Sequence, residues 1–426
     1  MEREIIDSIA MAYMEVIEDK KGFYSAISDH IYSGNFDKKI KAEMVTVVGA
    51  CVRHHLFYKV IMEKFGEFEL RESFYYIAAT LTDIFFTKRL NREECIQYGI
   101  LALEINEPTI DIEIFKEICN VESPLKLLES CGYEYGTPRA FSVRYNVPEW
   151  IFNLWAKQYG KNIAIKTVIK LTSKQKQYVK INSRFDLTNS FELPEDEFVP
   201  SESFDGLYEY IGQKSLKKSE LIANYKIFTT NEMDNELLNS LKNLDLMQHV
   251  AFYFYEKSNF HINLMNSLNG NCRLSLFCND FTKTTKSLDY IKKYKNNNTL
   301  YAQAACDSLN SYIEKGSLDL FVLFPDSSNL NYVNSSPEYL INFDSNKLDG
   351  IIRTEKDDIE CASEFIAEGG YLVYATHTLN KKENEQIVSD FLVKHQNFSL
   401  VCEKTTFNTN KKGSVFGFYA ILMRNN

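Results

Sequence analysis

The chain contains little glycine and proline for its length, with 17 Gly and 8 Pro among 426 residues. A Gly-rich loop that brings the backbone close to a phosphate or a nucleotide should therefore stand out, and the sequence has none. The nine cysteines are scattered, with no Cys-x-x-Cys pair and no Cys/His cluster at metal-ligand spacing. We therefore expect reduced thiols in the core and no metal centre.

The sequence also lacks long apolar runs and a basic N-terminal region followed by an apolar one, which predicts a cytoplasmic protein without membrane spans. The net charge of -10 argues against binding nucleic acid through bulk charge, because phosphate neutralisation needs clustered Lys and Arg. At 45% hydrophobic and 25% charged residues, the composition is that of a folded protein. A chain of 426 residues predicts more than one domain.

Residues 1–145 carry apolar residues at helical spacing, beginning with Ile5 and Ile9, and predict an all-helical domain of five or six helices. Asn91 precedes an acidic first turn and predicts a helix N-cap. The domain is acidic, with 17 Lys and Arg against 24 Asp and Glu. The pair His54-His55 lies in a predicted helix, where we expect buried or capping histidines rather than catalytic ones.

A basic segment follows the helical domain. Residues 145–190 contain eight Lys and Arg against two acidic residues, with aromatic residues between them. This pattern is typical of a groove for single-stranded RNA, and equally of a linking helix with a solvated Lys face and a tryptophan in the core. The candidate RNA contacts are Lys157, Lys161, Lys174, Lys176, Lys180 and Arg184.

The remainder of the chain changes from a small mixed segment to an α/β pattern. Short strand-like runs and an acidic loop up to residue 234 indicate a small connecting subdomain. From 235 to 426, apolar runs alternate with helical segments, which is typical of a mostly parallel sheet. Strands are predicted at 250–255, 273–278, 318–324 and 371–375, and helices at 281–295, 359–368 and 384–394.

Three segments of the sequence carry distinctive motifs. Residues 369–385 read GGYLVYATHTLNKKENE, residues 145–160 read YNVPEWIFNLWAKQYG, and the closing run ends in GFYAILMR. They resemble the GG-LVYATCS-L--EENE, S-P-W----W--QYG and GFF-A-L-R motifs of the RsmB (Sun) family of 16S rRNA cytosine-5 methyltransferases. The resemblance implies a NusB-like helical domain at 1–145, a basic linker helix with a small α+β RNA-binding subdomain at 146–234, and a Rossmann-like class I methyltransferase domain at 235–426.

The same resemblance locates the catalytic positions of the family, and both differ here. Methylation at C5 of cytosine needs a thiolate that adds at C6, and the family supplies it from the Cys of its ATC motif. That position is His377, whose imidazole is not the soft nucleophile that the addition needs. The second family cysteine, in DAPCSG, corresponds to Asp326. We expect both positions to be catalytically inactive.

The cofactor-binding positions of the family are altered as well. Its Gly-rich loop corresponds to residues 251–261, which contain no glycine, so side chains would fill the space that the backbone leaves for S-adenosylmethionine. Asp280, or Asn279 in an equally good register, is the candidate for the ribose side of that cofactor, and Asp307 is the candidate for the adenine side. The resemblance therefore implies a methyltransferase fold without bound S-adenosylmethionine.

These departures predict a degenerate family member, a pseudoenzyme that binds RNA and acts as a non-catalytic rRNA or ribosome-assembly factor. Its expected partners are ribosomal RNA and ribosome-assembly proteins. Two alternatives stay open: an active S-adenosylmethionine-dependent rRNA methyltransferase with altered catalytic residues, and a protein-interaction module that works through the acidic helical domain.

Overall fold

The chain forms two compact units, which we describe separately. Unit 1 comprises Met1–Thr172 and Tyr332–Phe343, and unit 2 comprises Ser173–Asn331 and Asp344–Asn426. The computed structural model describes residues 2–62, 72–106, 110–134, 136–172, 176–182, 191–202, 204–242, 244, 247–254, 260–267, 272–279, 299–330, 336–407 and 417–425.

Unit 1 is helical, as the apolar spacing predicts. Among the described residues its first 145 positions form nine α-helices rather than five or six, because short breaks divide the longer periodic runs. At one such break His54 leaves helical geometry, with φ -121° and ψ 19°. The helices are α1 (Glu2–Ile17), α2 (Phe23–Ile27), α3 (Lys38–Arg53), α4 (His55–Met62), α5 (Glu72–Thr82), α6 (Arg92–Asn106), α7 (Ile112–Asn120), α8 (Pro124–Ser130), α9 (Pro138–Tyr145), α10 (Glu149–Tyr159) and α11 (Lys161–Leu171).

The predicted N-cap of α6 is present. The side-chain oxygen of Asn91 accepts a hydrogen bond from the Glu94 backbone N–H at 2.9 Å, and the Glu94 carboxylate accepts one from the Asn91 N–H at 3.3 Å. This reciprocal pair is a capping box, which satisfies two backbone donors that the helix itself leaves unpaired.

The second chain segment of unit 1 is anchored by polar contacts. The Glu338 carboxylate accepts a hydrogen bond from the Phe23 backbone N–H at 3.1 Å, and the Asn342 side chain donates to the Val16 carbonyl at 2.8 Å. Both contacts reach the first two helices, so a stretch that is distant in sequence completes this helical unit.

Unit 2 contains a small antiparallel sheet in the order β2-β3-β1-β4, close to where the sequence indicates a connecting subdomain. Its core includes the buried side chains of Val179, Phe198 and Ile227. The elements are β1 (Tyr178–Ile181), β2 (Phe198–Pro200), β3 (Tyr208–Tyr210), β4 (Ile227–Thr230) and α12 (Glu220–Ala223).

The larger sheet of unit 2 has seven strands in the order β10-β11-β9-β8-β5-β6-β7. The five strands from β9 to β7 pair in parallel, and β11 lies antiparallel to its two neighbours. From Glu232 onward, the strands of this sheet and the helices between them are α13 (Glu232–Leu241), β5 (His249–Phe254), α14 (Phe260–Ser267), β6 (Arg273–Cys278), β7 (Thr299–Gln303), β8 (Leu318–Phe324), α15 (Tyr339–Asn342, in unit 1), α16 (Leu348–Ser363), β9 (Ile366–Thr376), α17 (Glu385–Lys394), β10 (Phe398–Thr406) and β11 (Gly417–Arg424).

The order of this sheet reverses between β5 and β8, and ligands of open parallel sheets bind outside the carboxyl ends of the strands at such a point. Apolar clusters cover both faces of the sheet, which explains why its strands read as continuous apolar runs. A helical region followed by a Rossmann-like sheet confirms the predicted fold class. The finer division at residues 145 and 234 stays a prediction.

Individual elements agree with the sequence to different degrees. The predicted strands at 273–278 and 318–324 coincide with β6 and β8. The predicted helix at 359–368 is wrong at its end, because α16 stops at Ser363 and Ile366 already pairs with Leu318 in the sheet. The predicted helix at 281–295 lies outside the described residues. In the part of the chain that the structure describes, no helix has the length and apolarity needed to cross a membrane.

Backbone conformation and packing explain the Gly-Gly pair of the 369–385 motif. Gly369 has a φ of +74°, a region that side chains disfavour. A Cβ atom on Gly370 would lie 2.8 Å from the Leu318 carbonyl oxygen and 3.0 Å from that of Ala367. The close approach of β9 to β8 therefore requires glycine.

We predict that Gly370→Ala lowers the free energy of unfolding by about 1–3 kcal/mol, because backbone atoms have to move to admit the methyl group. Gly350→Ala is the control, since a Cβ at this exposed position of α16 meets nothing within 4 Å. Gly350→Ala should leave the free energy of unfolding unchanged or raise it by up to about 1 kcal/mol. Urea denaturation measures both, and an unchanged midpoint for Gly370→Ala would contradict the close approach.

Candidate functional site

His377 lies just beyond the carboxyl end of β9, where the family has its nucleophile. Its Nε2 atom is 3.3 Å from Oδ1 of Asp234, and their side chains are 14% and 6% exposed. Asp234 belongs to the first turn of α13, and the His377 ring lies 5.5 Å from that of Phe324. The imidazole is thus held between a buried carboxylate and an aromatic ring.

Aromatic side chains occupy the carboxyl ends of β5 and β8. The rings of Phe254 and His261 stack at 5.2 Å with an angle of 2° between them. The ring centres of Phe260 and Phe324 are 5.1 Å apart, and those of Phe252 and Phe254 are 5.0 Å apart. Residues 255–259, in the middle of the segment that corresponds to the cofactor loop, lie outside the described residues. In the described part, aromatic rings lie on both sides of this segment, at the end of β5 and the start of α14.

The space beside His377 is small. A cavity of about 10 Å³ is lined by Phe254, Pro325, His377 and neighbouring residues at the ends of β5, β8 and β9. This volume corresponds to roughly one water molecule, whereas sites for cofactor-sized ligands enclose roughly 300–1,000 Å³. This particular cavity is therefore too small for S-adenosylmethionine or an extruded base, and the neighbouring residues 255–259, 280–298 and 331–335 lie outside the described residues.

A buried carboxylate connects the turns that follow β8 and β9. Glu383 accepts hydrogen bonds of 2.7 Å from the Ser328 backbone N–H, the Ser328 hydroxyl and the Asn380 amide. Burial raises the pKa of Glu383, and the hydrogen bonds from Ser328 and Asn380 act in the opposite direction by favouring the ionised form. The Tyr374 hydroxyl also donates to the Glu383 carbonyl at 2.7 Å.

Two further acidic residues, Glu355 and Asp358 of α16, are also buried at this end of the sheet. Burial raises the pKa of Glu355 well above its usual value, and the nearby Glu383 carboxylate adds to the effect. Burial also raises the pKa of Asp358 to about 7, with further contributions from the charges of Asp357, Asp326 and Asp307. These groups shape the electrostatics of this end of the sheet.

The structure therefore places the predicted catalytic and cofactor residues in two surroundings. His377 pairs with Asp234, a partner that the sequence analysis did not identify. Asp326 follows β8 and Asp307 follows β7, and both are exposed and close enough to raise the pKa of Asp358. Asp280 lies outside the described residues. Within the described ranges, no group of His, Cys, Asp and Glu side chains is arranged to hold a metal ion.

The predicted RNA-contacting residues are divided between the two units. Lys157 on α10 and Lys161 on α11 are exposed in unit 1. In unit 2, Lys176 forms an ion pair of 2.6 Å with Glu209, and burial lowers the pKa of Lys180 to about 8. Lys174 and Arg184 lie outside the described residues.

The aromatic residues among these lysines differ in exposure. Trp155 and Phe152 are fully buried in unit 1, and Tyr178 is buried in unit 2, whereas Trp150 and Tyr159 are half-buried. A buried ring cannot stack on an RNA base, so the first three do not contribute to the expected groove. The alternative of a Lys-bearing helix with its tryptophan in the core describes α10 correctly.

We predict that His377 and Asp234 are energetically coupled. His377→Ala and Asp234→Ala should each lower the free energy of unfolding by about 1–3 kcal/mol, because each removes a hydrogen bond from the buried partner that remains. The double variant should lose less than the sum, with a coupling energy of about 0.5–3 kcal/mol in urea denaturation.

The control for this cycle is the pair of His395 and Glu360, which makes a similar contact with side chains that are 31% and 33% exposed. Its coupling should stay below about 1 kcal/mol, because solvent screens exposed ion pairs. Equal coupling in both cycles would contradict a special role for burial beside His377.

Comparisons with known proteins are consistent with this geometry. No protein-family model matches the chain. Over 76 residues, 18% of this chain, it is 34% identical to ribosomal RNA small subunit methyltransferase F of Serratia proteamaculans (strain 568). The match spans only 16% of that protein.

Solved structures extend the likeness to the whole chain at the level of the fold. PH0851 matches with a TM-score of 0.71 and 15% identity over 99% of both chains. A methyltransferase homolog protein from Pyrococcus horikoshii matches with a TM-score of 0.55 and 10% identity, over 68% of this chain and 100% of that one. NSun6 from the same organism, solved with SFG, matches with a TM-score of 0.55 and 12% identity, over 66% of this chain and 98% of that one. Together these matches confirm the resemblance of the chain to the RsmB (Sun) family and its Rossmann-like methyltransferase fold.

Proposed function

We propose that this chain is a cytoplasmic RNA-binding protein of the RsmB type that has lost methyl transfer and acts as a non-catalytic rRNA or ribosome-assembly factor. The observation that carries the proposal is the state of the nucleophile position. There a histidine is paired with a buried carboxylate beside a cavity of about 10 Å³.

The chemistry of this position supports the proposal. Addition to C6 of cytosine needs a polarisable thiolate within reach of an extruded base, and an extruded base needs a pocket. His377 offers a ring nitrogen that is directed to Asp234. A group in this position can stabilise the fold by hydrogen bonding, but it supplies no thiol to add to the pyrimidine ring.

The surroundings of the strand ends support the loss of the cofactor. S-adenosylmethionine would supply the methyl group when bound, and in this fold it requires close access to the backbone after the first strand of the parallel sheet. In the described residues that region carries Phe254 stacked on His261 and Phe260 packed on Phe324. Rings packed at this end of the sheet support a site that does not hold the methionine part of the cofactor.

RNA binding rests on exposed cations rather than on stacking. Lys157 and Lys161 stand on consecutive helices, in a segment where basic residues outnumber acidic ones eight to two. Phosphate contacts of this kind give affinity without sequence preference. Any choice of a particular RNA therefore has to come from other contacts.

We predict that titration with S-adenosylmethionine or S-adenosylhomocysteine up to about 1 mM gives neither binding heat nor a thermal shift. A dissociation constant of about 10 μM would stabilise the chain by about 2.7 kcal/mol at that concentration, so even modest affinity is detectable. An active methyltransferase of the same fold serves as the assay control. Micromolar binding, followed by methyl transfer to ribosomal RNA, would establish the active-enzyme alternative instead.

We predict that the double variant Lys157→Ala/Lys161→Ala binds single-stranded fragments of small-subunit rRNA more weakly. The fall of log affinity with log salt should become shallower by about 1.4, which is about 0.7 for each lost phosphate contact. Lys38→Ala/Lys39→Ala is the control, since it removes two exposed lysines from α3 of the same unit. This control should leave the slope unchanged.

Equal losses in the two double variants would show that only total charge matters and would contradict the assigned contacts. RNA affinity no higher than that of an acidic control protein would overturn the proposal. The remaining candidate would then be a protein-interaction module acting through the acidic helices.

A further inference from the structure

Unit 1 contains a cavity of about 430 Å³, and all of its lining residues belong to that unit. This volume is in the range of pockets that hold small molecules, roughly 300–1,000 Å³. Its wall combines residues at the end of α3, in α4 and at the end of α9 with residues after α5 and from α8. The cavity is therefore a candidate binding site that lies in a different unit from His377.

The charge of this cavity is opposite to that of its domain. Arg53 and Arg144 line it, and no Asp or Glu is found among its described lining residues. Desolvation lowers the pKa of Arg53, so its charge loses hydration without gaining a carboxylate from the cavity wall. Two guanidinium groups whose described neighbours in the cavity wall include no carboxylate favour an anion, and phosphate matches their fork of donors.

Flat rings form much of the remaining wall. The His54 ring stacks on Phe86 at 3.6 Å with an angle of 8°, and Phe57 stands at 87° to Phe86. Burial lowers the pKa of His54 to about 4, so the imidazole is uncharged at neutral pH. Tyr145 adds a further ring, with the Arg144 guanidinium 5.5 Å from its centre. A planar heteroaromatic group can pack against such a wall.

One buried side chain holds the two arginine-bearing helix ends together. Asn146 ends α9 with a φ of 56°, its amide donates to the Val52 carbonyl at 2.7 Å, and its oxygen accepts from the Leu56 N–H at 2.9 Å. The backbone that follows Arg144 is thereby held to the junction of α3 and α4, next to Arg53. The wall is preorganised, which lowers the entropic cost of binding a ligand.

We propose that this cavity binds a nucleoside monophosphate unit, with its phosphate on Arg53 and Arg144 and its base against the rings of His54, Phe57 and Tyr145. A free nucleotide and one residue of an RNA strand offer the same chemistry. The inference goes beyond the proposed function and does not rest on it, because it involves neither the His377 region nor the exposed lysines.

The test is calorimetric titration of the full chain with AMP and CMP, compared with inorganic phosphate and adenosine as the two halves of the ligand. We expect AMP or CMP to bind at submillimolar concentration and the two halves to bind at least about tenfold more weakly. Arg53→Ala and Arg144→Ala should each weaken nucleotide binding by about tenfold or more, as expected for the loss of a charge-assisted hydrogen bond.

Arg139→Ala is the matched control, because Arg139 is an exposed arginine of α9 that does not line the cavity. It should bind the nucleotide as the unmodified chain does. Leu125→Trp provides a second variant, since Leu125 is 40% exposed on the cavity wall and a larger side chain there should block the ligand without disturbing the core. Circular dichroism confirms that each variant is folded.

A parallel titration with a short single-stranded RNA distinguishes the two sources of the ligand. Tighter binding of the RNA, lost in Arg144→Ala, identifies a strand, and tighter binding of the mononucleotide identifies a free nucleotide. Phosphate or adenosine binding as tightly as AMP, no nucleotide binding at about 1 mM, or an equal loss in Arg139→Ala would each overturn the proposal.

Discussion

The hydrogen bonding of the Glu383 carboxylate is the constraint on which the carboxyl end of the large sheet depends. A buried carboxylate is costly unless hydrogen bonds compensate for the lost water. Glu383 is fully buried, and it meets this requirement by accepting from the backbone and side chain of Ser328 and from Asn380. The turn after β8 and the turn after β9 are therefore fixed to one another by the hydrogen bonds to this carboxylate, together with one between the Ser328 and Thr378 hydroxyls.

This constraint explains which parts of the 369–385 motif resemble the family and which do not. Gly370 is needed for the approach of two strands, and Glu383 and Asn384 satisfy hydrogen bonds inside the turn. His377 stands between these positions and takes part in a different contact, with Asp234. The matching residues serve the architecture, and among the differing residues His377 is the one at the position that the resemblance associates with chemistry.

The sequence predicted the fold far better than the contacts of the site. Runs such as Leu318–Phe324 identify strands because a parallel sheet buried on both faces needs continuous apolar residues. Asn91 identified its helix start because a capping box is local. In contrast, 143 residues separate His377 from Asp234, and no local pattern predicts such a pair.

The same difference between local and distant information explains why the sequence did not show which aromatic rings of the basic segment are buried. Interleaved lysines and aromatic residues look alike in the sequence whether the rings face RNA or the core, since the helical period alone does not say which side is covered. In the structure Trp155 is buried and Lys157 is exposed, so one helix presents cations outward and its ring inward. The burial of α10 was decided by its neighbours in unit 1.

Several acidic side chains lie close together at the carboxyl end of the large sheet in the described part of the chain. The charges of Asp326 and Asp307 act on Asp358, which together with burial raises its pKa to about 7. Glu355 and Glu383 lie buried in the same region, and the charge of Glu383 adds to the raised pKa of Glu355. A phosphate that approached this end would be repelled by the exposed carboxylates of Asp326 and Asp307. Among the described residues, exposed cations such as Lys157 and Lys161 and the arginine-lined cavity of unit 1 offer phosphate the opposite charge.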